Sequence, residues 1–168
     1  MKMRSSSPLL LLLGLAMLMP AVCHAQAMCP WINVATARGI VGGAVTATVK
    51  ISEHGFGICN FSGQQRAAVH ELRISVNFMT DVPKQFPIYL AQCPPKSTPL
   101  PAIGNEAVMC SSIQGKGDEY VEMVVGRVRD RAFVVSVSSS IQNDPSMTQE
   151  TRRERASLVA EQVAGILF

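Results

Sequence analysis

Aromatic side chains are scarce in this chain: one Trp, two Tyr and six Phe make up 5% of its 168 residues. A core must therefore be filled mainly with aliphatic groups. Charge is also sparse, at 16%, and beyond residue 27 thirteen basic residues face twelve acidic ones. That near-neutrality offers no electrostatic case for nucleic acid, while a 48% hydrophobic composition excludes a disordered tail. No C-x-x-C is present, and no two cysteines are close enough for a zinc knuckle. G-x-S-x-G and H-E-x-x-H are missing too, and Gly55-Phe56-Gly57 lacks the third glycine and the following helix of a phosphate loop. No catalytic, cofactor-binding or metal-binding residue is assigned on these grounds, and no cofactor is expected. Repeats and low-complexity segments are absent.

What is present begins with an export pattern. Lys2 and Arg4 precede an apolar run over residues 8–22, and Ala25-Gln26-Ala27 supplies the small residues of a cleavage site. As a helix those fifteen residues rise only about 22 Å, short of a bilayer core of roughly 30 Å. Residues 1–27 are expected to be a cleaved signal peptide, and 28–168 a single secreted or periplasmic domain. No later stretch approaches about 18 consecutive apolar residues, so no transmembrane segment is expected in the mature chain. Cys23 follows Val22 rather than a small residue, so lipid anchoring there is not expected.

Four cysteines remain beyond the leader: Cys29, Cys59, Cys93 and Cys110. An even number in an exported domain points to disulfides, and four allow three connectivities. Pairing Cys29 with Cys59 and Cys93 with Cys110 is favoured, because each pair brackets a coherent segment.

Local patterns place the elements. Asn33 can cap a helix over Val34–Val41 that Gly42-Gly43 would stop, with Trp31 before the cap. Period-two alternation predicts strands at Val45–Ile51, 72–78 and 107–113, with a short strand at 58–61 and a polar loop at 62–66. Six prolines between residues 80 and 104 predict a long loop with at most a helical turn at 88–92. Segments 120–126 and 132–138 form a hairpin. A three-residue turn at 128–130 would put Val121, Met123 and Val125 on the same face as Phe133, Val135 and Val137. Asp144-Pro145 and Ser146-x-x-Gln149 announce a last helix whose apolar face is Ala156, Val159, Ala160, Val163, Ile166 and Leu167. The fold class is α+β: an antiparallel sheet covered on one face by an N-terminal and a C-terminal helix, and stapled by disulfides.

Candidate chemistry is thin. His54 and His70 read as solvated surface residues. Arg127, Arg129 and Arg131 read as a soluble hairpin tip, and Arg152, Arg153 and Arg155 as a charged helix face interleaved with Glu150 and Glu154. A carboxylate-dependent hydrolase would need at least two of Glu53, Glu106, Glu119 and Glu122 to converge in a cleft.

Cys29-Pro30-Trp31-Ile32-Asn33, Cys59-Asn60-Phe61, the alternating strand at 72–78 and Pro101-Ala102-Ile103-Gly104-Asn105-Glu106-Ala107 occur in that order before the hairpin and the Ala-rich last helix. In that arrangement the chain resembles small secreted bacterial lipoproteins classed only as a domain of unknown function. Its layout is also similar to the extracellular sensor domains of mycobacterial receptor Ser/Thr kinases. The resemblance implies an α+β domain with disulfides and a ligand-accepting groove, and brings no catalytic residues. The expected function is a non-enzymatic exported module that binds a small molecule, an envelope component or a protein. The alternatives are a carboxylate-dependent hydrolase and a secreted inhibitor presenting the Pro-rich segment.

Overall fold

Asn33 opens the first helix, α1 (Val34–Val41): its side-chain oxygen accepts from the Thr36 N–H at 2.8 Å, and Gly42 at φ +78° ends the helix. A computed structural model describes residues 28–52, 56–114 and 119–168; the expected leader, Glu53, His54 and the turn at 115–118 lie outside them. After α1 come β1 (Val45–Ile51), β2 (Gly57–Gln65), β3 (Ala68–Phe78), α2 (Val82–Leu90), β4 (Thr98–Pro99), β5 (Glu106–Gln114), β6 (Glu119–Val128), β7 (Arg131–Ser139) and α3 (Gln149–Leu167). The seven strands make one antiparallel sheet in the order β1-β2-β3-β7-β6-β5-β4, and the protein is α+β. Among the described residues no helix is long and apolar enough to cross a membrane.

Two hydrophobic clusters of opposite strand parity form the core. The first joins Ala37, Ile40 and Val41 of α1 and Ala156, Val159, Ala160 and Val163 of α3 to Phe61, Leu72, Ile74, Val124, Val135 and Val137. The second joins Phe86 of α2 to Cys110, Val121, Met123, Val125 and Ala132. In the last helix, Ile166 stays exposed, unlike the other members of its predicted apolar face.

Three local expectations are corrected. The β6–β7 turn has two residues rather than three: Val128 faces Arg131, and Arg129 takes φ +53°. The parity therefore flips, so Val124 faces Val135 while Val121, Met123 and Val125 point into the second cluster. β6 is consequently buried on both sides, which a single amphipathic face would not require. The polar stretch at 62–66 is strand up to Gln65, because Arg66 at φ +56° makes the reversal possible with only two turn residues. Finally, the Pro-rich segment is not all loop. Asp81 caps α2, Pro83 falls in the first turn where no N–H is needed, and Pro87 removes just one intrahelical donor.

Both bridges form as their spacing suggests, Cys29–Cys59 with Cα atoms 5.8 Å apart and Cys93–Cys110 with 5.6 Å. The first fixes the segment before α1 to β2. The second fixes the end of the α2 segment to the middle of β5, beside the site described next.

Candidate functional site

The register of β5 and β6 sets Ser111 opposite Glu122, on the same side as the first cluster. Glu122 interrupts the apolar run 121–125 of β6 and is 2% exposed. Burying a carboxylate is costly unless it is hydrogen-bonded, and Glu122 accepts from Ser111 Oγ at 2.8 Å and from Gln149 Nε2 at 2.9 Å. Gln149 begins α3, one residue after the Thr148 cap, and Arg152 follows on the same helical flank. These residues, with Ser112, Tyr120, Asn143, Asp144 and Pro94, line a cleft of about 840 Å³. Pro94 comes to this wall because its neighbour Cys93 is bonded to Cys110, one residue before Ser111.

Arg152 is 3% exposed, and one guanidinium nitrogen donates to the Met147 carbonyl at 2.6 Å. Its Nε and the Ser112 hydroxyl have no hydrogen-bond partner among the described residues. Burial pushes the Arg152 pKa down, while the charges of Glu122 and Asp144 oppose that fall. The cleft is thus lined by a fixed carboxylate and a fixed guanidinium, with two buried donors behind its wall that lack partners among the described residues.

Its floor is braced by a second polar cluster. His70 is fully buried on β3, with Nδ1 at 2.8 Å from the Val41 carbonyl and Nε2 at 2.5 Å from Asp144 Oδ2. The imidazole thus bridges a backbone carbonyl and a carboxylate. Asp144 also accepts from Ser139 Oγ at 2.9 Å and from the Ser146 hydroxyl and N–H at 2.6 and 2.8 Å. Burial raises the Asp144 pKa, but the bonds from Ser146, His70 and Ser139 outweigh it and hold the carboxyl well below the ordinary carboxylate range. The cluster contains Ser, His and Asp but not a catalytic relay. Ser139 donates to Asp144 rather than to the imidazole, and the far side of the ring is committed to a backbone carbonyl.

Two sequence readings of side chains are therefore overturned. His70 is not a solvated histidine; it joins α1, β3 and the segment before α3. Nor is the arginine run a solvated helix face: Arg152 is buried, and Arg155 donates to the Ile40 carbonyl. Among the described residues, Glu106 and Glu119 do not converge on Glu122. Glu106 pairs with Arg127 at 3.2 Å. Glu119 accepts from Ser138 Oγ at 2.6 Å and, three residues from Glu122, lies on the opposite side of β6. Arg129 and Arg131 line a smaller cavity with Trp31 and Leu167, apart from the main cleft. Among the described residues no group of His, Cys, Asp and Glu is arranged to hold a metal ion. Glu122 within the apolar run of β6 was the visible signal of the site; Asp144, Ser111 and Gln149 carried none, since only the fold brings them to it.

Compared with protein-family models, curated proteins and solved structures, the chain matches none.

Proposed function

We propose that this protein is an exported, sensor-like binding module that takes a small polar molecule into the cleft between the ends of β5 and β6 and the start of α3. In this reading residues 1–27 direct export and are removed, the two disulfides form outside the cytoplasm, and α1 and α3 lie over one face of the sheet. The observation that carries it is a roomy cleft whose buried polar groups are only partly satisfied. Glu122 keeps accepting capacity beyond Ser111 and Gln149, and Arg152 commits one guanidinium nitrogen to the Met147 carbonyl. A concave cleft lined by a few fixed polar groups, a carboxylate and a guanidinium among them, favours a polar ligand that pairs with them. Binding is favoured over hydrolysis because Glu106 and Glu119 stand away from Glu122, and Asp144 is occupied by His70 and two serines.

The test is a titration of isotope-labelled protein with amino acids, dicarboxylates, monosaccharides and disaccharides, followed by amide shifts. Saturable shifts are expected at Ser111, Gln149 and Arg152, weakened about tenfold or more in Glu122→Gln, where a charge-assisted bond is lost. Absence of saturable cleft shifts across the whole panel, or turnover of a substrate that depends on Glu122, would contradict the proposal.

A further inference from the structure

The sheet has two edges, and they differ. At one end β4 is a two-residue strand containing Pro99, a poor template for further pairing. At the other end β1 is seven residues long, contains no proline and carries a single charge, Lys50. Among the described residues it pairs with β2 alone, which leaves the other side of its backbone open. Natural edges are usually shortened, charged or covered, and apart from Lys50 β1 lacks these protections.

Its sequence is also self-complementary. Val45-Thr46-Ala47-Thr48-Val49 is a palindrome. Val45, Ala47 and Val49 are half-buried against the first cluster, while Thr46, Thr48 and Lys50 are exposed. An antiparallel copy centred on Ala47 puts Val45 opposite Val49, Thr46 opposite Thr48 and Ala47 opposite itself. Side chains alternate along a strand, so this register keeps apolar residues beside apolar ones and threonines beside threonines. Lys50 then faces Ala44 of the other copy, and no like charges meet.

We infer that β1 pairs with β1 of a second copy of this chain, forming a two-fold dimer with one sheet running through both protomers. The two-fold axis passes through Ala47, as an isologous contact requires. The cleft is built on β5 and β6, separated from β1 by β2, β3 and β7, so both clefts stay open in the dimer. Two sites held in fixed relation would raise the apparent affinity for a repeated ligand.

Light scattering coupled to size exclusion, run on the disulfide-bonded protein across a concentration series, tests this. A monomer–dimer equilibrium is expected. The double variant Thr46→Lys with Thr48→Lys sets lysines opposite lysines at two places and should weaken the dimer at least ~10-fold. Each single variant faces a threonine and should weaken it much less. Both positions are exposed, and an unchanged melting temperature at low concentration will show that the fold is kept. A monomer at every concentration overturns the inference, as does a dimer indifferent to the double variant. Equal disruption by Thr48→Lys alone also overturns it, because that result places the axis at Thr48 instead.

Discussion

Replacing Asp144 by alanine removes the one acceptor shared by His70, Ser139 and Ser146. His70 and Ser139 are both fully buried, so neither can turn to water when the carboxylate is gone. Leaving a buried donor without its acceptor costs about 1–3 kcal/mol per group, so losing the shared carboxylate should cost several kcal/mol. Asp144→Asn keeps one oxygen acceptor and should cost roughly half as much. His70→Leu combined with Asp144→Ala should cost less than the sum of the two single changes, since each single change orphans the other group. Urea unfolding of the oxidised protein at neutral pH measures this, with an unchanged slope confirming the same transition. The pH dependence provides a second reading. The Asp144 pKa is lower in the folded chain than its ordinary 3.8, so the unfolded chain binds more protons in the interval between them. The stabilisation is therefore complete above 3.8 and is lost as pH falls through that interval towards the folded value. Asp144→Asn should flatten that part of the acid profile. An Asp144→Ala cost below about 1 kcal/mol, or identical acid profiles for wild type and Asp144→Asn, would refute the reasoning.

Changing Cys93 and Cys110 together to alanine removes a bridge of sequence separation 17, worth about 3 kcal/mol by loop entropy, and releases Pro94 from the cleft wall. Chemical unfolding should show the loss, and ligand shifts in the cleft should weaken while the fold persists. Gly126→Val sets a side chain against the Phe133 ring, which already lies 2.4 Å from where a Cβ would stand, and should lower stability by about 1–3 kcal/mol in a thermal melt. Leu72→Ala empties a fully buried position in the first cluster and should cost about 2–5 kcal/mol, whereas Ile88→Ala, on the exposed side of α2, should change stability by less than about 0.5 kcal/mol.

The parts legible in the sequence are those governed by near neighbours. Asn33 and Gly42 bound α1 because capping acts within a turn, and the four cysteines pair within their own segments. Alternation placed β1 and the central part of β3 for the same local reason. The differences arise where a single turn residue or distant chain decides. Parity across the β6–β7 hairpin depends on one turn residue, and β6 has apolar neighbours on both sides because α2 forms despite its prolines. His70 looked like any polar residue in an alternating strand, because its partners Val41 and Asp144 lie 29 and 74 positions away. Arg152 looked solvated because a helix of alternating charges does not reveal which arginine is buried. The cleft inherits the same difficulty: it draws on β5, β6, α3 and a loop held by a disulfide, and the sequence offers Glu122 only as one of four glutamates.

The most direct measurement is the affinity of the oxidised protein for whichever panel member perturbs Ser111 and Gln149, compared with that of Glu122→Gln and Arg152→Lys. Saturable one-site binding in the cleft, weakened about tenfold or more by each change with the fold intact, is the predicted result. Binding of equal strength in all three proteins, or located away from these residues, would contradict the assignment of this cleft as the functional site.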